Sequence, residues 1–146
     1  MKMGKNHRRV RMSAALNIER GQSLVEFALV VPLLVLLVIG IAEFGRAWMT
    51  QNILTGAARE AVRVAVVTKV NWKAVGEARG DNVLASANIP PPFSTIVTEI
   101  IEADGHKTNV ATVTHVHNLL FIGKFVPGIP DNITLLTKTT MRREQD

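Results

Sequence analysis

One apolar run constrains this chain more than any other feature. From Leu24 to Ala42 the sequence carries 19 residues with a single charge, Glu26. As a helix rising about 1.5 Å per residue, a stretch of that length nearly crosses a hydrocarbon layer of ~30 Å. A carboxylate inside such a segment is costly to desolvate, and intramembrane acids generally have a partner and a task. Trp48 follows where an interfacial aromatic sits, and Arg46 is placed to snorkel to the headgroups. A lipid bilayer is therefore an expected partner.

The charge distribution supports that reading and weakens another. The chain has 17 Lys and Arg against 12 Asp and Glu; residues 1–21 hold six of the bases and one of the acids, leaving eleven of each for the rest. The basicity thus belongs to Lys2, Lys5, Arg8, Arg9, Arg11 and Arg20. Next to an apolar span, such a cluster holds its side in the cytoplasm and sends the C-terminal body outward. As a nucleic-acid surface it lacks a recognition helix behind it, so no nucleic-acid partner is expected. The absence of cysteine excludes a disulfide framework, a thiol nucleophile, a lipoprotein anchor and thiolate metal sites. A cleaved secretory signal has a shorter apolar region and an A-x-A-like site on its far side, which Gly45-Arg46-Ala47 imitates poorly.

Pro32 lies inside the run and removes one helical hydrogen bond, so the sequence predicts a kink or local unwinding, or a proline whose neighbours satisfy the freed carbonyl. The helix is expected to continue to about Val67. Ile53, Leu54, Ala57, Ala58, Ala61, Val64 and Ala65 recur near a 3.6 period, and the small residues permit close approach. Glu43/Arg46 and Glu60/Arg63 have helical i,i+3 spacing, which supports local pairs. At the membrane border Glu43 and Arg46 are also candidates for pairing between subunits.

Beyond Val67 the pattern changes. Residues 71–88 read as a weak helix broken near Gly80-Asp81, with Asp81 capping a short helix through Ala87. Pro90-Pro91-Pro92 forces an extended connection. Strands are expected over 94–102, 109–117 and 133–141, with a turn at Asp104-Gly105 and a loop over 121–130. On the third strand Ile133, Leu135, Thr137, Thr139 and Met141 share one face. The fold class is α+β: a long N-terminal membrane-spanning helix continuing into a small head, with an antiparallel sheet of about three strands packed on the helix.

No catalytic or metal constellation is legible. His115 and His117 share a strand face at a spacing two ligands can use, but only the distant His106 offers a third histidine. No Ser-His-Asp arrangement and no phosphate-binding glycine loop appears. Neither an enzyme, a cofactor nor a small-molecule substrate is expected.

Three blocks now specify more. Arg20-Gly-Gln-Ser-Leu-Val-Glu-Phe-Ala-Leu-Val-Val-Pro-Leu-Leu, Glu43-Phe-Gly-Arg-Ala-Trp and Ala57-Ala-Arg-Glu-Ala-Val-Arg together resemble the N-terminal segment of TadE-like pseudopilins of the tight-adherence (Flp) pilus system. The likeness covers roughly residues 20–65. It implies cleavage after Gly21 by a membrane prepilin peptidase, so that Gln22 becomes the first residue and Glu26 the fifth, with Glu26 and Phe27 read in assembly. It departs from type IV pilins, which usually begin with Phe; an N-terminal Gln can cyclise and lose its amine. The implied organisation is a cleaved basic leader over 1–21, a membrane helix with its outer extension over 22–67, and a head over 68–146. The implied role is that of a minor subunit in the bacterial inner membrane acting in pilus assembly, adhesion and biofilm formation. Its implied partners are the peptidase, other pilin and pseudopilin subunits and the inner-membrane assembly platform. The alternative is an unprocessed, signal-anchored envelope protein with a structural role.

Overall fold

The computed structural model describes residues 6–143, apart from the side chains of residues 6–20 and of Phe125. Lys2, Lys5 and the side chains of Arg8, Arg9, Arg11 and Arg20 therefore lie outside the described residues. In chain order the elements are α1 (Asn6–Val67), α2 (Trp72–Ser86), β1 (Phe93–Ile101), β2 (Lys107–Asn118), α3 (Ile122–Phe125) and β3 (Asn132–Arg142). Contacts divide the chain into two compact units that meet at Ile41 and Ala42.

The first unit is helix α1 as far as Ile41. The helix runs through Pro32 without a break, so the neighbouring turns tolerate the missing backbone donor. Its long apolar side chains face outward: Leu24, Phe27, Leu29 and Leu33 are all about two-thirds exposed or more. A helix apolar on every side demands an apolar environment. This one is long and apolar enough for a single-pass membrane anchor.

The second unit begins at Ala42 and holds the outer part of α1, the sheet, α2 and α3. α1 ends at Val67, where the apolar periodicity stops. The three strands form one antiparallel sheet in the order β1-β2-β3. Its registers include Val97 opposite Ala111 and Val113 opposite Thr137. The core lies between the inner sheet face and α1, where Leu54, Ala57, Ala58, Ala61, Val62 and Ala65 meet Leu84, Val97, Ala111 and Val113. Burial alternates along β3, with Ile133, Leu135, Thr137 and Thr139 inward. Val62 joins the fully buried set, whereas Val64 is only half-buried. The cause is that α1 packs on both the sheet and α2, which widens its buried stripe beyond a single face.

Two local expectations are corrected. α2 is one unbroken helix from Trp72 to Ser86, not a helix interrupted at Gly80-Asp81 with Asp81 as a cap. The glycines there serve packing. A Cβ on Gly76 would lie 2.9 Å from the Ala61 carbonyl oxygen and 3.0 Å from Ala65 Cβ, and one on Gly80 would lie 2.6 Å from Thr95 Cγ2. Gly76 and Gly80 thus let α2 approach the alanine face of α1 and the sheet closely, which outweighs their weak helix propensity. The second correction is α3, a short helical turn inside the connection expected to be an irregular loop.

Surface pairs and edge contacts hold these layers. Glu60 accepts from Arg63 on its own helix and from Arg79 on α2, at 2.9 and 3.0 Å. The hydrogen bonds from Arg63, and then those from Arg79, hold its carboxyl down at about 2. At the sheet edges, Glu77 Oε1 accepts the Val97 N–H at 3.0 Å and Gln51 Nε2 donates to the Leu136 carbonyl at 3.0 Å. An open strand edge is a template for foreign pairing, and both edges are partly occupied here.

Gly76→Ala is expected to lower stability by about 1–3 kcal/mol, because the methyl group meets a backbone oxygen that cannot move aside. Gly56, whose added Cβ would meet nothing within 4 Å, gives the opposite sign. Gly56→Ala is expected to raise stability by about 1 kcal/mol. Thermal unfolding of both full-length variants in detergent checks the pair; a stabilised Gly76→Ala would show that α2 does not sit tightly on α1.

Candidate functional site

The N-terminal block lies on the first unit. Gly21, Gln22, Glu26 and Phe27 occupy consecutive turns of α1 and are all exposed. Among the described residues Glu26 has no hydrogen-bond or ion-pair partner. A Cβ on Gly21 would meet nothing within 4 Å. No packing among the described residues therefore requires glycine there, although glycine weakens a helix by about 1 kcal/mol relative to alanine.

A second cluster stands at the start of the second unit. Glu43 directly follows the apolar run, yet it is only 2% exposed. Its helical position explains this: Glu43, Thr50, Leu54, Ala57 and Ala61 follow one another at 7, 4, 3 and 4 residues, so they share one stripe. The stripe that buries the core also turns this carboxylate inward. Oε1 accepts the backbone N–H groups of Leu120 at 2.7 Å and Phe121 at 2.8 Å, while Oε2 accepts from Arg46 Nη1 at 2.9 Å. The i,i+3 pair expected from the sequence is thus present within the chain. What the sequence did not reveal is that the same carboxylate fastens the β2–β3 connection. Its position on the core stripe was the available signal.

The two strand histidines lie beside this cluster. Both are buried on the inner face of β2, with ring centroids 6.3 Å apart. His115 Nδ1 lies 3.2 Å from the Pro92 carbonyl oxygen, and His117 Nδ1 lies 3.4 Å from Thr50 Oγ1. His117 Nε2 is buried and has no hydrogen-bond partner among the described residues. Burial, reinforced by the nearby Arg46 and His115 and opposed by Glu43, pushes the His117 imidazole below its usual value. Among the described residues no group of three or more potential metal ligands converges. The cluster is suited to fastening backbone rather than to acid–base chemistry.

Glu43→Ala leaves two inward-facing amides without an acceptor, at about 1–3 kcal/mol for each buried unsatisfied group. The expected result is loss of hydrogen-exchange protection at Leu120 and Phe121. Arg46 is 44% exposed, so water can replace part of its role in Arg46→Ala, which is expected to destabilise less than Glu43→Ala and to leave those amides protected. The lowered His117 value has a defined sign. Below about 6.5 the unfolded chain takes up a proton that the folded chain resists, so stability falls as pH drops through that value. Unfolding followed from pH 8 to 5 is expected to show this loss, and His117→Phe is expected to flatten it.

With the geometry in view, comparison with known proteins identifies the N-terminal part. A family model described as "TadE-like protein" matches residues 21–63. No curated protein and no solved structure matches the chain. The family consists of pilin-like, generally non-enzymatic structural proteins, which implies a role in tight-adherence (Flp) pilus biogenesis and association with that machinery. Through residues 21–63, which carry the apolar helix and its continuation into the head, this chain is similar to the TadE-like family.

Proposed function

We propose that this chain is a minor pseudopilin of a tight-adherence pilus, processed by a prepilin peptidase after Gly21 and acting in assembly, adhesion and biofilm formation. The observation that carries the reading is Glu26: an exposed carboxylate on an apolar helix, without a partner among the described residues. In hydrocarbon such a group requires a counter-charge. Cleavage after Gly21 creates one, the amine of Gln22, which on an incoming subunit meets the Glu26 of its neighbour. The open space around Gly21 supports the same reading, since the demand for glycine then comes from the peptidase and not from packing. Phe27, two-thirds exposed, is free to face a neighbouring subunit or the assembly platform. The half-exposed Arg46 retains donors for an adjoining pilin while Glu43 remains engaged within its own chain. The protein is read as a single-pass protein of the bacterial inner membrane, with a cytoplasmic N-terminus and an extracytoplasmic head, and as a component for the pilus. The basic residues before the span support that orientation.

Intact mass of the protein from membranes, with and without the peptidase, tests processing. A chain starting at Gln22 only when the peptidase is present is expected, and Gly21→Leu is expected to abolish the shorter form. Retention of residues 1–21 in both strains would instead establish a signal-anchored envelope protein. Glu26→Gln is expected to insert normally. Removing one partner of a desolvated charge pair costs about 3–5 kcal/mol, so incorporation of the subunit should fall by roughly two orders of magnitude or more. Normal pilus numbers on those cells would refute the pairing.

A further inference from the structure

The connection between β2 and β3 presents apolar side chains outward, and its position relative to Glu43 is fixed. Leu120 and Phe121 give their backbone N–H groups to Glu43 Oε1 at 2.7 and 2.8 Å. Glu43 is the first residue after Ala42, where the apolar run ends. The connection is therefore tied to the helix at the level where that helix leaves hydrocarbon, a step that rests on the membrane reading given above. Leu120, Phe121 and Ile129 are 47, 50 and 39% exposed. Pro127, Pro130 and Lys124 are exposed with them. On the helix at the same level, Phe44 and Trp48 are exposed and stack with ring centroids 6.1 Å apart.

These apolar groups are displayed by an ordered segment. The Leu119 N–H donates to the Asp131 carbonyl at 2.8 Å and closes the base of the connection. Inside it, the Lys124 and Val126 N–H groups donate to the Phe121 and Ile122 carbonyls at 3.0 and 2.9 Å. Several backbone donors of the connection are thus satisfied within it, which lowers the cost of bringing it to an interface. Aromatic and aliphatic side chains with a neighbouring lysine match the layer between acyl chains and anionic headgroups.

We propose that residues 119–131 form an interfacial foot that rests on the outer surface of the bilayer, with Leu120, Phe121 and Ile129 among the upper acyl chains and Lys124 at the anionic headgroups. The foot would give the head a second membrane contact beside the helix. Glu43 determines its height by holding the backbone of Leu120 and Phe121.

The native chain has no cysteine, so single thiols report position directly. Full-length Phe121→Cys, Ile129→Cys, Ile100→Cys and Leu34→Cys proteins are labelled with an environment-sensitive fluorophore. They are then reconstituted into phosphatidylcholine vesicles with and without phosphatidylglycerol. Phe121 holds Glu43 through its backbone, so its replacement leaves the anchor in place, and Ile129 provides an independent second site. Ile100, 46% exposed on the outer sheet face, and Leu34, 58% exposed in the span, are the references. Labels at 121 and 129 are expected to be quenched severalfold more than the label at 100 by a headgroup-region lipid nitroxide. They are also expected to be severalfold less accessible to iodide, with a larger contrast when phosphatidylglycerol is present. If they match the label at 100 while the label at 34 is quenched by a deep nitroxide, the foot is refuted and the span stands. If the label at 34 is also unquenched, the membrane reading fails and the foot with it. Shielding of 121 and 129 only in membranes containing the other pilus subunits, with free iodide access in vesicles, would overturn the proposal in favour of a protein neighbour.

Discussion

The head depends on how one carboxylate is satisfied. Glu43 is withdrawn from water, and desolvating a carboxylate costs several kcal/mol unless charged or polar donors replace the lost hydration. Two backbone amides and a guanidinium supply those donors here. The bond to Leu120 joins positions 77 residues apart, so it closes a long loop as well as satisfying a charge. His117, Thr50 and His115 complete a polar layer at the same end of the sheet, distinct from the alanine and valine core above it. A polar layer of this kind specifies where the sheet meets the helix, because a shift by one turn would strand the carboxylate and both amides.

The rest of the head is held by contacts that permit little variation in distance. α2 approaches α1 through Gly76 and Gly80, where a single methyl group would collide. Glu60, Arg63 and Arg79 tie the same two helices at the surface, a weaker and screened contribution. Near the far end of α1, Arg143 donates to the Thr68 carbonyl at 3.4 Å and lies 3.6 Å from Glu99. Midway, Gln51 and Thr55 reach Thr137 on β3 at 3.3 and 3.0 Å. The sheet is therefore referenced to the outer part of α1 at several heights, and the small core between them has little freedom to slide.

Two glutamates on one helix illustrate how context assigns function. Glu43 and Glu26 are chemically identical, and both border or interrupt the apolar run. Glu43 has three donors inside the chain and acts as a fastener. Glu26 has none among the described residues and is exposed on an otherwise apolar surface, which directs its chemistry outward. That contrast separates a carboxylate satisfied within the head from one without a partner among the described residues, on which the proposed pairing with another subunit rests.

The sequence by itself determined what depends on local period and composition. The apolar run, its flanking charge, the end of α1 at Val67 and the three alternating strands were legible because burial in lipid, helical period and strand period each leave a one-dimensional trace. The likeness that the family model finds over residues 21–63 was legible for a different reason, the resemblance of specific residue blocks rather than any period. Tertiary structure decided the rest. Gly80 read as a helix break until Thr95, a strand residue, was seen to occupy the space its side chain would need. Asp81 read as a cap because a cap and a mid-helix acid look alike without the neighbouring turns. The role of Glu43 depends on amides 77 and 78 residues away. Sequence spacing reports which residues share a face of one element; only the packed chain determines which backbone groups reach that face from another.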